Sequence, residues 1–190
     1  MTAIRKASSY SKRYARPYTR KSKVKAKSYI KTIPPQKIVK FFMGNREAFE
    51  QGKLPIVLSM ISEEQVQIRD NSLEACRQYI NKQLETAFGA QFYFLVKVAP
   101  HHILRENKML TGAGADRMQT GMQLSFGKAI GRAALVPPKK EIFTVAIENE
   151  RAASETRKFL EKIKAKLPGR TRIITQRIAV SPVVKAQQPA

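Results

Sequence analysis

Residues 54–89, LPIVLSMISEEQVQIRDNSLEACRQYINKQLETAFG, carry the pattern that decides the fold class. The apolar run 54–61 predicts a well-buried strand. From Ser62 onward the apolar residues recur with a period near 3.6, which predicts an amphipathic helix over 62–89. Ser62 and Gln65 have the spacing of a capping box, and Gly89 stands where a helix typically ends. A buried strand followed by a long helix indicates a domain that mixes both elements.

The elements on either side of this stretch do not alternate as βαβ units would. Five more segments have a readable pattern: strands over 37–44, 91–99, 142–147 and 170–178, and a second amphipathic helix over 150–167 with a face dense in Lys and Arg. This order predicts the α+β class, with a compact sandwich of a mainly antiparallel or mixed sheet and two amphipathic helices on one face. We expect one domain over 33–178, preceded by an arm (1–32) and followed by a flexible tail (179–190).

The chain is strongly basic, with 36 Lys and Arg against 14 Asp and Glu and a formal net charge of +22. Such a balance favours an acidic partner, nucleic acid first and an anionic membrane second. No apolar run is long enough to span a bilayer, and the N-terminus lacks the apolar core of a secretory signal. The single cysteine, Cys76, cannot form an internal disulfide and suits a reducing compartment. We interpret it as a small buried residue, with a catalytic thiol as the alternative.

The arm, residues 1–32, contains eleven Lys and Arg residues and no acidic residue, the first of which is Glu47. Four tyrosines are interleaved with these charges. Lys and Arg can hold an RNA backbone while tyrosines stack on bases. Three interpretations are open: an RNA-binding arm that orders on binding, which we favour, a solvated tail, and a mitochondrial presequence. On the first interpretation the arm's RNA-binding residues are Arg5, Lys6, Lys12, Arg13, Arg16, Tyr18, Arg20, Lys21, Lys23 and Lys25.

The stretch 101–131, HHILRENKMLTGAGADRMQTGMQLSFGKAIG, lacks a sustained apolar period and holds five of the nine glycines. Glycine allows positive φ and close approach, and basic side chains between glycines suit a polyanion. Loops of this length in a compact domain are usually functional. The pattern predicts a long, glycine-hinged basic loop that projects from the body, over about 103–121, which we call the central loop. The alternatives are an idle surface loop and a short helix near 115–126.

The residues of this stretch do not form a recognisable catalytic or metal site. His101 and His102 are adjacent, so on a strand they would point to opposite faces and would not share a metal ion. The run GAGADR (112–117) lacks the Lys-Ser/Thr of a phosphate-binding loop. Glu106 and Asp116 are more typical of partners for nearby arginines than of an acid–base pair. The sequence therefore predicts no catalytic residue, no metal and no cofactor, and we expect that the protein is not an enzyme.

Four segments resemble a known family. PHHILRENKMLTGAGADRMQTGM (100–122) is similar to the signature of a large-subunit ribosomal protein family, the universal L-sixteen family, in its archaeal and eukaryotic branch, called L-ten-e. The segments IPPQKIVKFFMGN (33–45), QIRDNSLEACR (67–77) and GKAIGRAALV (127–136) are similar to that branch too. The likeness runs in the same order from about Ile33 to Arg177. The first thirty residues match only in character, and the last dozen depart from the family pattern.

The resemblance implies a structural constituent of the large ribosomal subunit in the cytoplasm, with a compact α/β body and a basic arm that threads along ribosomal RNA. It implies that the central loop points toward the peptidyl-transferase region and helps position the tRNA acceptor arm without catalysing peptide transfer. The implied partners are large-subunit ribosomal RNA, neighbouring ribosomal proteins and the tRNA acceptor arm, with no membrane and no homo-oligomer.

Loop composition and the resemblance together supply the remaining candidate residues. We expect Arg105, Lys108, Arg117 and Lys128 to contact phosphates, and Met109, Gln119 and Met122 to lie closest to bases or sugars. Gly112 and Gly114 belong to the same tRNA-proximal set as hinge and close-approach positions. At the base of the loop, His101, His102, Lys128 and Arg132 complete the predicted ribosomal RNA contacts. The sequence does not separate the roles of the two histidines.

Two other classes of protein stay open from the residues alone. A general, chromatin-like nucleic-acid-binding protein would explain the charge and would bind duplex DNA as well as RNA. An enzyme acting on RNA through His101, His102 and Glu106 would show turnover. A membrane-surface role is weaker, because the arm lacks an apolar helix face opposite its basic residues.

Overall fold

The computed structural model describes residues 6, 8–11, 17–19, 23–24, 30–107 and 127–178. Strands and helices occur together without βαβ alternation, as the α+β class requires. The strands are β1 Phe42–Gly44, β2 Ile56–Ser62, β3 Val66–Arg69, β4 Phe92–Val96, β5 His102–Glu106, β6 Lys128–Val136, β7 Glu141–Ile147 and β8 Thr171–Arg177. The helices are α1 Ser8–Ser11, α2 Arg46–Glu50, α3 Asp70–Phe88 and α4 Glu150–Ile163, which continues into a 3₁₀ turn at Lys164–Lys166. The predicted α+β class is confirmed.

Five strands form one sheet in the order β1-β4-β7-β2-β8, and every neighbouring pair is antiparallel. Residues of its central strand β7 alternate between two buried faces. Phe143 on one face packs against Phe94, with ring centroids 5.8 Å apart. Ala146 on the other face belongs to a smaller apolar cluster that α2 covers, where Phe49 stacks on Tyr93 at 4.8 Å. The sheet is therefore covered on both faces near its centre.

A second sheet, which the sequence did not predict, contains β3, β6 and β5 in that order, again antiparallel. The predicted helix over 62–89 is wrong at its start, because residues 66–69 pair with residues 133–136 of β6. The capping box is wrong for the same reason. Ser62 ends β2, and its hydroxyl donates to the Glu64 carbonyl oxygen at 2.7 Å. The helix begins only at Asp70 and ends before Gly89, as expected.

One apolar core joins both sheets to the two long helices. Helix α3 contributes Leu73, Ile80 and Leu84, each with no solvent exposure, and α4 contributes Leu160 and Ile163. Helix α3 packs against β3, β4, β6 and α4, so it spans the two sheets. The body is consequently a single packed unit from which the paired ends of β5 and β6 extend.

Three other boundaries differ from the sequence prediction. The strand predicted over 37–44 is regular only at its end, over β1, and the short helix α2 after it was not foreseen. Asn45 begins α2, where its side-chain oxygen accepts from the Ala48 backbone N–H at 2.9 Å. The ends of the stretch 101–131 are not loop but strands β5 and β6, which pair with each other. The predicted tail, 179–190, lies outside the described residues.

Candidate nucleic-acid interface

The arm is docked on the edge of the second sheet through Tyr18. The Tyr18 backbone N–H donates to Nδ1 of His102 at 2.9 Å. The backbone N–H of Ile103 donates to the Tyr18 carbonyl oxygen at 3.0 Å. Strand β5 is the outer strand of its sheet, so Tyr18 satisfies polar groups that an edge strand otherwise leaves exposed. These two hydrogen bonds, which we call the arm dock, connect the arm to the strand that leads into the central loop.

The side chain of Arg105 contacts the ring of Tyr18 and adds to the two hydrogen bonds of the arm dock. Its guanidinium carbon lies 4.3 Å from the centroid of the Tyr18 ring, within the range of a cation–π contact. Tyr18 and Arg105 were predicted as an RNA-binding residue of the arm and a phosphate-binding residue of the loop. The structure brings the two together in one contact, at the point where arm and loop base meet.

The two histidines have different surroundings, which the sequence could not distinguish. His102 is 6% exposed, whereas His101 is exposed and has Nδ1 3.1 Å from the Ala99 carbonyl oxygen. Burial, followed by the nearby His101 and Arg105, lowers the pKa of His102. A neutral ring is required here because a protonated Nδ1 could not accept the Tyr18 N–H. His102 is thus placed to orient the arm, and its predicted contact with RNA stays a prediction.

The central loop leaves the body from a two-stranded hairpin base. Glu106 of β5 is paired in register with Lys128 of β6, and a register shift falls between Leu104 and Arg105. Gly127 has φ +81°, and a Cβ atom there would lie 2.6 Å from the carbonyl carbon of Glu106. Glycine is therefore needed at this position both for conformation and for space. Lys128 is exposed beside it, as a phosphate-binding residue must be.

Arg132 has a structural contact within the protein. Its Nε donates to the carbonyl oxygen of Pro34 at 2.7 Å. This bond holds the extended segment at Pro34-Pro35, which joins the arm to the body, against β6. The predicted ribosomal RNA contact of Arg132 stays a prediction, and the structure adds a role in positioning the connection between arm and body.

Most of the other predicted residues cannot be placed. Lys6 and Lys23 are exposed, as the arm hypothesis requires. The remaining candidates lie outside the described residues: Arg5, Lys12, Arg13, Arg16, Arg20, Lys21 and Lys25 in the arm, and Lys108, Met109, Gly112, Gly114, Arg117, Gln119 and Met122 in the loop. Within the part of the chain that is described, the predicted residues around the loop base do come together.

The catalytic alternatives receive no support from the described residues. Cys76 is fully buried, and burial raises the pKa of its thiol to about 12, so the alternative of a catalytic thiol is wrong. Across residues 30–107 and 127–178 no three His, Cys, Asp or Glu side chains are grouped as metal ligands would be. No helix in the described ranges has the length and apolar character needed to cross a membrane.

Sequence reasoning missed several contacts because they join distant segments. The helical period of 62–89 places Arg69, Arg77 and Lys82 off the apolar stripe, either on a solvated face or in contact with RNA. Arg69 instead ends β3, and its guanidinium carbon lies 6.0 Å from the ring centroid of Tyr10 in the arm. Arg77 is not on a solvated face: its side chain is largely buried, is paired with Glu74 at 2.6 Å, and reaches the sulfur of Met43 at the distant strand β1. Hydrogen bonding to Arg77 lowers the pKa of the Glu74 carboxyl. Lys82 is exposed as expected.

The basic face predicted for the second helix is present. Arg151, Arg157, Lys158 and Lys162 are exposed along α4, opposite buried Leu160. The protein thus combines a compact α+β body with an exposed basic helix, a docked basic arm and a hairpin with a charged base. This combination is typical of proteins that bind nucleic acid.

Comparison with known proteins defines the family. The model of the family described as ribosomal protein L16p/L10e matches residues 14–174. The chain is 41% identical over 155 residues to large ribosomal subunit protein uL16 of Methanosphaerula palustris, which covers 81% of this chain and 87% of the relative. It is 43% identical over 162 residues to the uL16 protein of Hyperthermus butylicus (83% of each chain) and 40% identical over 167 residues to that of Archaeoglobus fulgidus (87% and 90%).

The chain therefore belongs to the ribosomal protein L16p/L10e family. The resemblance inferred from four segments is confirmed, and the family match begins earlier than expected, inside the arm at residue 14. Since this is a family of ribosomal proteins, the interpretation that the chain is not an enzyme is confirmed as well.

Proposed function

We propose that this protein is a structural constituent of the large ribosomal subunit in the cytoplasm. It binds large-subunit ribosomal RNA, contacts neighbouring ribosomal proteins, and through the central loop helps organise the aminoacyl-tRNA site near the peptidyl-transferase centre. The loop contacts the tRNA acceptor arm without taking part in bond chemistry, and the protein acts as a monomer. Its similarity to large ribosomal subunit proteins uL16 supports the subunit assignment.

The observation that carries the proposal is the arm dock. Tyr18 joins the basic arm to β5 through His102 and Ile103, so arm and loop base form one basic unit. An arm bound to ribosomal RNA on one side would hold β5, and with it the loop, in a defined direction. Arg105, Lys128 and the arm's Lys and Arg residues supply the charges for phosphate contact.

The test of the loop is a deletion that the strand register makes possible. Glu106 and Lys128 are paired, so removing residues 108–126 joins Asn107 directly to Gly127. Asn-Gly is the preferred sequence of a two-residue hairpin turn, and Gly127 already has φ +81°. The body, the arm dock and both sheets should therefore remain folded. The control is removal of residues 179–190, a shorter deletion elsewhere in the sequence.

We expect ribosomes with the 108–126 deletion to join subunits normally but to accommodate aminoacyl-tRNA slowly, or to mature slowly. Rapid-mixing measurement of accommodation on purified ribosomes checks this. Ribosomes with the control deletion should behave as wild type. Wild-type accommodation and maturation in the 108–126 deletion would contradict a role of the loop at the tRNA site.

The arm is tested by the salt dependence of binding. Removing residues 1–16 deletes Arg5, Lys6, Lys12, Arg13 and Arg16 and keeps Tyr18 in place. Each phosphate contact contributes roughly −0.7 to −0.9 to the slope of log affinity against log salt. If these five residues bind phosphates, the slope for large-subunit ribosomal RNA fragments should flatten by about 3.5 to 4.5. An unchanged slope would mean that this part of the arm is only solvated.

A further inference from the structure

A small cleft lies beside the loop base, where the arm connection meets the start of α3 and strand β6. It has a volume of about 140 Å³. Pro34, Pro35, Leu104 and Ile130 supply apolar walls. Asp70 and Asn71 line the cleft beside the cationic Arg69, and Gly131 contributes backbone. The Arg132 bond to the Pro34 carbonyl oxygen fixes one wall. The two hydrogen bonds of the arm dock lie outside this cleft, although Arg69, which contacts Tyr10 of the arm, is part of its lining.

Two hydrogen-bond acceptors in this cleft lack donors. Asp70 is only 4% exposed, and its Oδ1 accepts the Asn71 backbone N–H at 2.9 Å. Among the described residues, neither Oδ2 of Asp70 nor Oδ1 of Asn71 has a hydrogen-bond partner, although both atoms are buried. Burial raises the pKa of the Asp70 carboxyl, and hydrogen bonding by the backbone N–H groups of Asn71 and Lys37 lowers it in part, although no donor among the described residues reaches Oδ2 within hydrogen-bond distance. Buried acceptors of this kind are normally satisfied, so the pair indicates a ligand that brings N–H groups.

Gly131 keeps the cleft open. It lies inside strand β6, where glycine is unfavourable unless a ligand or another backbone approaches closely. A Cβ atom at this position would meet no atom within 4 Å, so internal packing does not require glycine here. Its φ does not lie in the left-handed region either. The lack of a side chain is explained if something outside the described residues enters this space.

We propose that the cleft binds a guanine base that RNA extrudes from its stack. This deepens, and rests on, the proposed binding of ribosomal RNA. A cavity of about 150 Å³ holds a benzene ring, so the six-membered edge of a purine fits between the apolar walls. Extruded bases are recognised in this way, by packing of the ring and by hydrogen bonds to its Watson–Crick edge.

The arrangement of acceptors selects guanine among the bases. Guanine presents N1–H and the N2 amino group side by side, and a carboxylate can accept from both. Adenine and cytosine place a ring-nitrogen acceptor next to their amino group, where it would face the Asp70 carboxylate unfavourably. Uracil has a single N–H between two carbonyl oxygens. Lys37, exposed at the same cleft, can contact the phosphate of the extruded nucleotide.

The experiment uses the full-length protein and short oligouridine RNAs that carry one central guanosine, adenosine or cytidine, or none. Fluorescence anisotropy at fixed salt gives the affinities. We expect the guanosine RNA to bind roughly tenfold or more tightly than the others, because a well-placed bidentate pair discriminates bases to about that degree. Titration with guanosine monophosphate alone tests whether a free nucleotide is the ligand instead.

Two variants act on the cleft in different ways. Asp70→Asn replaces one acceptor by a donor, and Gly131→Val fills the space with a residue that strands favour. Both should remove the preference for guanosine and leave the affinity for plain oligouridine unchanged, which also shows that the variants are folded. Glu47→Gln removes the same charge from an exposed position on α2 and should keep the preference.

Equal affinity of the wild-type protein for all four RNAs would overturn the guanine site while leaving RNA binding intact. No affinity for any of them would contradict the proposed function as well. A third outcome is saturable binding of guanosine monophosphate that Asp70→Asn abolishes, together with equal affinity for all the RNAs. That outcome would mean that the cleft binds a free nucleotide, and it would overturn the assignment to RNA. A guanosine preference that survives both Asp70→Asn and Gly131→Val would place recognition elsewhere and overturn the proposal.

Discussion

Replacing His102 by phenylalanine tests whether the arm is held on β5 in the way the structure indicates. The ring of His102 is buried, and its Nδ1 accepts the Tyr18 backbone N–H at 2.9 Å. Phenylalanine keeps a planar ring of similar size but has no acceptor. The variant therefore removes one hydrogen bond of the arm dock and leaves the other, from Ile103 to the Tyr18 carbonyl oxygen.

The free energy of docking that His102→Phe should remove can be estimated from the type of hydrogen bond that is lost. A hydrogen bond between neutral groups contributes about 0.5–1.5 kcal/mol, and a partly buried N–H left without an acceptor adds a further cost. A loss of about 1 kcal/mol reduces the ratio of docked to undocked arm about fivefold. The body should keep its stability, because the core formed by the two sheets and long helices does not depend on the arm dock.

Amide hydrogen exchange measures this local opening directly. The amides of Tyr18 and Ile103 are both donors in the arm dock, so both should exchange about fivefold faster, or more, in His102→Phe. Amides of the buried strand β2 should be unchanged. His101→Phe is the matched control, since His101 is exposed and its Nδ1 lies at the Ala99 carbonyl oxygen. Unchanged exchange of Tyr18 and Ile103 in His102→Phe would refute the reasoning.

Three further predictions concern single groups. Folding lowers the pKa of His102, so the arm dock should be fully present above the unfolded-state pKa of about 6.5 and should weaken as the pH falls below it. The exchange rate of the Ile103 amide, corrected for its intrinsic pH dependence, should therefore rise on acidification. The same rise should be missing in His102→Phe. Gly127→Ala should lower the free energy of unfolding, measured by urea titration, by about 1–3 kcal/mol. Gly131→Ala should leave it unchanged, because a Cβ atom at position 131 meets no other atom within 4 Å. Equal effects of the two substitutions would contradict the stated role of Gly127. Cys76, with a pKa of about 12, should react with a thiol reagent at neutral pH only as fast as the protein unfolds; rapid labelling of the folded protein would contradict its burial.

The sequence predicts those elements whose pattern is set locally. The apolar run before Ser62 and the amphipathic period of α4 both predict elements that the structure contains, with ends shifted by a few residues. The class of fold follows from their order. The central strands are apolar on both faces, so a buried sheet could be inferred without knowing its strand order.

The second sheet could not be predicted because its pairing is non-local. Residues 66–69 fit a helical period as well as a strand, and pairing with residues 133–136 decides between them. Strand β6 contains two small residues, Ala129 and Gly131, in its first half, which weakens any strand signal. Its conformation comes from β3 and β5 on either side, and those neighbours cannot be identified from spacing alone.

The candidate site was predicted in composition but not in arrangement. The basic residues around the loop base were recognisable from charge, and the family was recognisable from four segments. The arm dock was not, because it joins Tyr18 to a histidine 84 residues away. The buried acceptors of Asp70 and Asn71 were missed for a local reason. Polar residues at the start of a helix are usually cap residues, so the sequence did not indicate that these two are buried.

The central claim is that the arm and the loop base together bind large-subunit ribosomal RNA. Sedimentation of the tagged protein from a cell extract, followed by crosslinking of residues 101–131 to RNA, tests this claim most directly. The account predicts retention on the large subunit after a high-salt wash, with crosslinks to its ribosomal RNA near the peptidyl-transferase region. Release into the free fraction, with crosslinks scattered over many RNAs or over DNA, would contradict it and indicate a general nucleic-acid-binding protein.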